Sequence, residues 1–216
     1  MTPSSSVTES SLDLQELQRD ALREVANIGC GHAANALGRL MGGRPVHLSV
    51  PRVESIDASG AACGAASEIA RLLGGSDTRV LAAQLGVEGG LHGSLLMLLP
   101  TRESEALGRL LLGGTEPSAE DTRSALSETA NILASACLSA IGTMTGWRLL
   151  PSVPHLTEGP VGEVVADAVA GMEGASARLV VLEARLSAAC APQVTGQLLL
   201  LLEPRASREL LQRLGV

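Results

Sequence analysis

The sequence predicts an α/β protein, of the α+β kind, built from two copies of one structural unit. Three features indicate this: a polar helix pattern, a strand-pair sequence and an order of secondary-structure elements each occur twice in the chain. Internal repetition of this kind predicts two halves related by a pseudo-two-fold axis. Strands joined as hairpins predict a mostly antiparallel sheet of about six strands, covered by two long helices and several shorter ones.

The polar helix pattern consists of a small polar residue, a glutamate four positions later and an asparagine three positions after that. Its members are Asp20, Glu24 and Asn27 in the first copy and Ser124, Glu128 and Asn131 in the second. At about 100° per residue, each set of three falls within about 60° on one face of a helix. Apolar residues occupy the opposite face, so the polar side chains should point to solvent. Folding alone gives little reason to repeat them there.

The first copy starts with a capping pattern at Ser10 to Asp13 and a long helix from Leu14 to about Met41, ended by Gly42-Gly43. Prolines border the next strand, glycines close a short helix and form a hairpin turn, and Thr101 caps the last helix. The elements predicted after the long helix are a strand over 44–51, a short helix over 67–75, strands over 79–87 and 91–99, and a helix over 101–112.

The second copy follows a linker over 113–117 and repeats this order. A capping box at Ser118 to Asp121 opens the second long helix, which runs to about Gly146. The remaining predicted elements are a strand over 147–153, a short helix over 161–172, strands over 177–186 and 194–202, and a helix over 205–214.

The repeat is also visible residue by residue, because the segment over 92–100 resembles the segment over 195–204. We therefore expect a flexible tail over 1–12 and a single domain over 13–216, made of repeats over 13–114 and 118–216.

The composition narrows the classes of function. All 16 basic residues are arginine, which excludes a lysine Schiff base and a lysine-dependent phosphate-binding loop. Trp147 is the only aromatic residue, so base stacking on aromatic rings lacks its usual side chains. A net charge of −7 argues against binding to nucleic acid or to an anionic membrane surface. No apolar run reaches the length of about 18 to 20 residues that a membrane helix needs.

The cysteines Cys30, Cys63, Cys137 and Cys190 lie far apart and form no Cys-x-x-Cys pair. This spacing argues against a zinc or iron–sulfur site, so no metal ligands are predicted. The N-terminal residues lack the basic and apolar segments of a signal peptide, and scattered thiols suit a reducing compartment. We therefore expect a cytoplasmic protein.

A glycine-rich segment inside the first long helix, Gly29 to Ala34, matches the Gly-x-Gly-x-x-Ala pattern of dinucleotide-binding loops. That loop requires a preceding strand and the start of a helix, whereas this segment lies within a continuous helical pattern. We favour close packing against a partner helix, with Ala134, Ala136 and Ala140 in the same role in the second copy. A small-molecule enzyme that uses the glycine-rich helix is an alternative.

The histidines are expected to have structural roles, His32 on the apolar helix face and the others on or near strands. The others are His47, His92 and His155. No Ser/His/Asp or Cys/His set can be assigned from spacing, so the repeated glutamate and asparagine are the strongest candidates for function.

These residues resemble the motif of the CheC-type chemotaxis phosphatases, the CheC, CheX and FliY group, and most closely CheC, which has the motif twice. In the family, Asp or Ser is followed by Glu, Asn and, after 22 intervening residues, Pro. The second copy keeps this spacing from Asn131 to Pro154, whereas in the first copy Pro51 comes one residue late, as an extra residue near Gly42-Gly43 would explain. The segment from Asn27 to Ala34 is also similar to the family's N-I-G-x-G-x-A-A sequence. The resemblance spans about residues 13 to 215.

The resemblance implies a hydrolase that removes the phosphoryl group from the phospho-aspartate of a CheY-type response regulator in chemotaxis, a form of two-component signalling. The implied catalytic residues are Glu24, Asn27, Glu128 and Asn131. Asparagine would position the attacking water, and glutamate would dock the regulator by pairing with its active-site lysine. The implied supporting residues are Asp20, Ser124, Pro51 and Pro154. The protein would need no cofactor of its own, because the regulator brings its own Mg²⁺.

The same resemblance leaves an alternative open, a non-enzymatic adaptor that binds CheD or another chemotaxis or flagellar switch partner. CheD is therefore a second candidate partner beside the CheY-type regulator, whereas nucleic acid and membrane insertion are not expected. If one of the two sites dominates, we expect the second, because Ser124, Glu128, Asn131 and Pro154 keep the full spacing of the family motif.

Overall fold

The computed structural model describes residues 14–49, 51–57, 67, 70–71, 75–113, 116–172 and 178–216. The tail predicted over 1–12 lies outside these ranges, as does most of the predicted helix over 67–75; its described residues Ser67, Ala70 and Arg71 are helical. The complete helices within the described ranges are α1 (Glu16–Leu40), α2 (Thr101–Leu111), α3 (Ala119–Thr145), α4 (Val161–Ala170) and α5 (Pro204–Leu214).

Within these ranges, eight strands form one antiparallel sheet with contributions from both halves of the chain. They are β1 (Val46–Leu48), β2 (Arg52–Asp57), β3 (Arg79–Gly89), β4 (Gly93–Pro100), β5 (Leu149–Pro151), β6 (His155–Pro160), β7 (Arg178–Ala188) and β8 (Ala191–Leu202). The order across the sheet is β1, β7, β8, β4, β3, β5, with β2 following β1 along the edge of β7 and β6 following β5 along the edge of β3. The predicted fold class, an α/β protein with a mostly antiparallel sheet, is confirmed.

The count of about six strands was too low, because β2 and β6 were not predicted. Each follows a very short strand that ends at a bend, and each pairs with a neighbour along one side only. Their sequences, Arg-Val-Glu-Ser-Ile-Asp and His-Leu-Thr-Glu-Gly-Pro, carry few apolar residues. Edge strands are short and polar in many proteins, so their apolar periodicity is weak.

The sheet separates two hydrophobic cores. Alternate side chains of each strand point to opposite faces. In β3, Leu81, Ala83 and Leu85 pack with α1, α3, α2 and α5 in the larger core, whereas Val80 and Ala82 pack with α4 in the smaller one. The two long helices therefore lie together on one face of the sheet, where their outer surfaces face solvent.

The two halves are related by a pseudo-two-fold axis at the centre of the sheet. Strands β4 and β8 pair there, and Leu96 lies opposite Leu199, its own counterpart in the repeat. The element pairs β1 and β5, β2 and β6, and α2 and α5 start 103 positions apart, whereas Glu24 and Glu128 are 104 positions apart. One additional residue therefore lies between α1 and β1.

The turns after α1 and α3 show where that residue is accommodated. Gly42 and Gly43 both have positive φ, at 72° and 83°, whereas Gly146 alone, at φ 73°, makes the corresponding turn after α3. Glycine adopts this left-handed conformation without the Cβ penalty of other residues. The predicted helix ends at Gly42-Gly43 and Gly146 are confirmed, and so is the capping box of α3, in which Ser118 Oγ accepts from the Asp121 backbone N–H at 3.1 Å.

Candidate active sites

The two motif helices, α1 and α3, pack side by side in opposite directions. Gly29 of α1 contacts Cys137 and Ile141 of α3, and Ala36, further along α1, lies near Ile132, earlier in α3. We call the surface around Glu24 and Asn27 site one and that around Glu128 and Asn131 site two. Because the helices are antiparallel, the two sites lie toward opposite ends of the helix pair.

The motif side chains lie on the outer face of the helix pair. The buried residues of α1, among them Val25, Gly29 and Ala33, cover the opposite face. Five of the six motif side chains are exposed, and Asn131 is half-buried. The prediction that this polar stripe points to solvent is therefore confirmed, with Asn131 partly covered.

None of the four predicted catalytic side chains has a hydrogen bond or an ion pair with any residue in the described part of the chain. They are Glu24, Asn27, Glu128 and Asn131. A polar group that points to solvent without a partner contributes little to folding. These carboxylates and amides are consequently free to bind another molecule, and their chemical roles stay predictions.

The supporting residues of the two sites differ in charge and in partners. At site one, Arg23 Nη1 donates to Asp20 Oδ1 at 2.7 Å, so the first motif residue is held in an ion pair. At site two, the corresponding residues are Ser124 and Ser127, and neither carries charge. Both members of the Arg23–Asp20 pair are about half exposed, which keeps its contribution to stability near the 0–1 kcal/mol typical of surface ion pairs.

Site two adjoins a depression of about 610 Å³ between α3 and β6. Ser124, Ser127 and Glu128 line its helix side, and Leu156 lines its strand side. Arg123 crosses the depression, because its Nη2 donates to the Leu156 carbonyl at 3.3 Å. This hydrogen bond ties the start of the second motif to the strand that follows Pro154.

Pro51 and Pro154 occupy equivalent places, although their spacing from the motifs differs by one residue. Each directly precedes the second strand of its pair, Pro51 before β2 and Pro154 before β6. The additional residue of the first copy is accommodated in the Gly42-Gly43 turn, so it does not displace Pro51. Pro51 is buried and Pro154 is half-buried.

Two serines hold these proline loops, and the sequence predictions did not include them. Ser49 Oγ accepts from the Arg185 N–H at 2.9 Å while the Ser49 N–H donates to the Arg185 carbonyl at 2.9 Å. In the other half, Ser152 Oγ accepts from the Gly86 N–H at 2.8 Å while the Ser152 N–H donates to the Gly86 carbonyl at 2.9 Å. The available signal was the tripeptide Ser-Val-Pro, which occurs at 49–51 and again at 152–154.

A glycine on each motif helix lets the chain return close to that helix. A Cβ on Gly38 would lie 2.9 Å from the Arg44 carbonyl oxygen, and one on Gly142 would lie 2.6 Å from the Trp147 carbonyl oxygen. Backbone atoms cannot move aside as a flexible side chain can, so any larger residue would displace the loop. These glycines therefore set the distance between each motif helix and the chain segment that enters β1 or β5.

The glycine-rich segment of α1 is part of the helix-packing surface. A Cβ on Gly29 would lie 2.7 Å from Cys137 Sγ, which confirms close packing at that position, whereas Gly31 is exposed and has no neighbour within 4 Å. The segment lies in the middle of α1 and has no preceding strand, so it lacks the geometry of a dinucleotide loop. Burial raises the pKa of the Cys30 thiol to about 12 and that of the Cys137 thiol higher still, so neither is a thiolate nucleophile at neutral pH.

The prediction for His32 was wrong, because His32 is exposed. The buried face of α1 is centred near Gly29 and Ala33, and His32 falls on its flank. Within the described ranges, no cluster of three or more His, Cys, Asp or Glu side chains has the arrangement to hold a metal ion. Nor does any described helix combine the length and apolarity needed to cross a membrane.

Comparison with known proteins identifies relatives of this chain whose family is known. The model of the CheC-like family matches residues 17–55, which include Glu24 and Asn27. The chain is 34% identical over 160 residues to the CheY-P phosphatase CheC of Bacillus subtilis, covering 71% of this chain and 72% of the relative.

Solved structures with the same fold include FliY of Thermotoga maritima, with a TM-score of 0.72, 17% identity and coverage of 94% of this chain and 98% of that one. A chain of the CheX–CheY–BeF₃–Mg²⁺ complex of Borrelia burgdorferi has a TM-score of 0.51, 13% identity and coverage of 81% and 94%. The sequence relative at 34% identity, which this chain matches over more than two thirds of both lengths, decides the family. The chain belongs to the CheC-like chemotaxis phosphatase family.

Proposed function

We propose that this protein dephosphorylates the phospho-aspartate of a CheY-type response regulator, using Glu24 with Asn27 and Glu128 with Asn131. The observation that supports this most is the pair of glutamate–asparagine sets on the outer face of the helix pair, unpaired within the described chain and placed equivalently on two helices of a CheC-like protein. The B. subtilis relative is named as a CheY-P phosphatase, and the CheX complex contains CheY with BeF₃ and Mg²⁺.

In the proposed reaction this protein mainly positions the attacking water and the regulator, and it supplies no covalent chemistry of its own. An acyl phosphate is already activated, and the regulator brings the Mg²⁺ that balances the charge of its phosphoryl group. An asparagine amide can accept a hydrogen bond from water and donate one, without a change of charge, so it can orient water for in-line attack. A glutamate one helical turn away can pair with a lysine of the regulator and fix the depth of docking.

The structure favours site two as the more active of the two. Asn131 is half-buried, so its amide has fewer conformations to lose when a water is bound between the proteins. Arg123 braces the neighbouring strand through the Leu156 carbonyl. At site one, Asn27 is exposed, so its amide is less constrained, and Asp20 is held by Arg23 instead of being available to the site.

The test is phosphate release from a CheY-type regulator charged with acetyl phosphate, with and without this protein. We expect the Asn27→Ala/Asn131→Ala variant to lose the acceleration, a drop of about 10²-fold or more, because a positioned hydrogen-bonding group commonly accounts for that much. Asn35→Ala is the matched control, since Asn35 is an exposed asparagine on the same helix as Asn27. Unchanged release by the double variant, with its circular dichroism spectrum intact, would refute the proposal.

The same experiment separates catalysis from an adaptor role. A regulator that binds this protein without faster phosphate release would favour the adaptor. CheD is also proposed as a partner, and a pull-down with purified CheD beside the phosphatase assay tests it directly. Retention of CheD by the double asparagine variant would place CheD binding outside the water-positioning residues.

A further inference from the structure

Two further charged side chains are repeated just before the motif of each long helix. At the spacing of 104 residues that relates the motif glutamates, Glu16 corresponds to Glu120 and Arg19 corresponds to Arg123. Apart from the motif glutamates, these are the charged residues that α1 and α3 share at corresponding positions. All four side chains are exposed, so packing does not account for their repetition.

The helix dipole accounts for the two glutamates and leaves the two arginines unexplained. Glu16 and Glu120 lie in the first turns of α1 and α3, where an acidic side chain is favoured. Arg19 is the fourth residue of α1 and Arg123 the fifth of α3, and the dipole gives no advantage to a cation at that end of a helix. In the described chain, neither arginine forms an ion pair with the glutamate three residues before it.

Contacts within the chain account for only one of the two arginines. Arg123 Nη2 donates to the Leu156 carbonyl at 3.3 Å. The side chain of Arg19 has no hydrogen bond or ion pair with any residue in the described ranges. A role in folding would therefore retain the arginine of the second half and leave that of the first half free to change.

Carboxylates near Arg123 do not explain the repetition either. Arg123 also lines a cavity of about 410 Å³ that contains three glutamates, Glu105, Glu116 and Glu158. Within the described residues, no ion pair joins Arg123 to any of them. In the first half, Glu105 and Glu158 correspond to Arg208 and Ser55. Arg19 is therefore retained where these carboxylates are not.

The structure places Arg123 in the same depression as Glu128. The helix side of this depression of about 610 Å³ consists of Glu120, Arg123, Ser124, Ser127 and Glu128. The hydrogen bond to Leu156 uses one of the five guanidinium N–H donors, so the others can bind a partner. At 1.5 Å per residue, Arg123 precedes Glu128 by about 7.5 Å and Asn131 by about 12 Å along α3. A molecule that docks on Glu128 and Asn131 therefore also passes close to Arg123.

We propose that Arg123 and Arg19 each dock a surface carboxylate of the phosphorylated receiver domain, beside its acyl phosphate. This inference rests on the proposed function and adds one docking residue to each site. A guanidinium binds a carboxylate through two parallel N–H···O bonds, a charge-assisted contact that also fixes orientation. The arginine lies about 12 Å along the helix from the asparagine, so it contacts the receiver outside the reacting atoms and determines specificity.

A single carboxylate suits each arginine better than a polyanion does. Each arginine lies between two glutamates of its own helix, Glu16 and Glu24 in α1 or Glu120 and Glu128 in α3. Binding to nucleic acid or to an anionic membrane requires a continuous basic surface, and repeated phosphates would meet these glutamates. A receiver face that presents one carboxylate near its active-site lysine complements the alternating charges of the helix.

The test measures phosphate release from a CheY-type regulator charged with acetyl phosphate, as a function of regulator concentration. The Asn27→Ala background leaves site two as the active site, and the Asn131→Ala background leaves site one. In the first background, we expect Arg123→Gln to raise KM about tenfold and to keep kcat within about twofold, because the contact is the same in the ground and transition states. Arg123→Lys should raise KM only about threefold, because lysine keeps the charge without the paired donors.

Arg19 separates docking from folding, because it has no partner in the described chain to lose. In the Asn131→Ala background, Arg19→Gln should raise KM about threefold, less than at site two, because its side chain is not held in place before binding. The free energy of unfolding in urea should stay the same. Arg102→Gln is the matched control, since Arg102 is an exposed arginine that is also repeated, as Arg205, but lies on α2 outside the depression. It should change neither quantity.

Variants of the regulator identify the carboxylate. Surface aspartates and glutamates around its phosphorylation site are changed singly to asparagine or glutamine, and each is tested against this protein with and without Arg123→Gln. We expect one such change to raise KM about tenfold when Arg123 is present and to have little further effect when it is replaced.

Unchanged KM for both Arg19→Gln and Arg123→Gln, with phosphate release intact, would overturn the docking role and leave the proposed function standing. So would coupling of Arg123 to none of the regulator's carboxylates. A loss of kcat and of unfolding free energy by Arg123→Gln, with Arg19→Gln unaffected, would show that Arg123 only supports β6, which also overturns the inference. Failure of the unmodified protein to accelerate phosphate release would overturn the proposed function and the inference together.

Discussion

Site one and site two share their supporting structure and differ in the surfaces around it. In both halves a helix glycine, Gly38 or Gly142, admits the carbonyl of the returning chain. In both halves a loop serine, Ser49 or Ser152, makes the same two hydrogen bonds to the neighbouring strand. Around this common support, site one has the Arg23–Asp20 ion pair, whereas site two has two uncharged serines, Ser124 and Ser127, beside the depression between α3 and β6.

This comparison separates the residues that the fold requires from those that it does not require. The repeated glycines and serines contact backbone atoms, so packing and hydrogen bonding account for their repetition. Arg23, His32 and Arg39 are exposed and are not repeated, which is expected where packing makes no demand. The glutamates and asparagines lie on the outer face of the helix pair, with Asn131 half-buried, and yet they are repeated, so they require an explanation outside folding.

The largest expected effect comes from removing one water-positioning amide at a time, which would break the apparent equivalence of the sites. We expect Asn131→Ala to lower kcat/KM for phosphate release by about tenfold or more and Asn27→Ala by no more than about threefold. The reason is that Asn131 is half-buried, whereas Asn27 is exposed. Steady-state phosphate release measures both variants, and an equal or reversed loss would contradict the ranking.

The next largest effect concerns Gly38 and Gly142, the glycines that let the returning chain pack closely against each motif helix. We expect Gly142→Ala to lower the free energy of unfolding by about 1–3 kcal/mol and Gly38→Ala by somewhat less, because the added Cβ would meet a carbonyl oxygen at 2.6 Å and 2.9 Å. Gly31→Ala is the control. With no neighbour within 4 Å, it should raise helix stability by about 0.5–1 kcal/mol. Urea unfolding measures all three, and a neutral Gly142→Ala would show that the loop can move.

The smallest expected effect should be equal in the two halves, because it tests the supporting structure that they share. We expect Ser49→Ala and Ser152→Ala each to lower the free energy of unfolding by about 0.5–1.5 kcal/mol, because each removes one hydrogen bond of nearly the same length to a backbone N–H. The two losses should add in the double variant, since the loops lie in different halves. A difference of more than about 1 kcal/mol between the single variants would mean that the loops are supported differently.

The sequence contained most of the information needed for the repeat and the candidate sites. Long helices with glycine ends and alternating apolar strands have strong local signals, so α1, α3, β3 and β8 were predicted close to their observed bounds. The edge strands β2 and β6 were missed because half-paired strands can be short and polar. His32 was misplaced because the direction of a helix's buried face depends on the neighbour against which it packs.

Ser49 and Ser152 show most clearly what could not be predicted from the sequence. The tripeptide Ser-Val-Pro is present twice in the sequence, but its meaning depends on Arg185 and Gly86, which are far away along the chain. A hydrogen bond to a distant backbone group leaves no periodic trace in the local sequence. Internal repetition could have identified the serines as candidates, whereas only the folded chain shows what they hold.

The sequence by itself determined that this protein has two halves, that its long helices each present a glutamate and an asparagine to solvent, and that these residues match a family motif. Local periodicity and spacing suffice for such statements, because a helix fixes the direction of its own side chains. Only the tertiary structure decided that the proline loops correspond despite the additional residue, that the helices run antiparallel, and that Ser49 and Ser152 each bond to the backbone of a distant strand. Those properties arise from contacts between residues distant in sequence, and such contacts exist only once the two halves have packed around a common sheet.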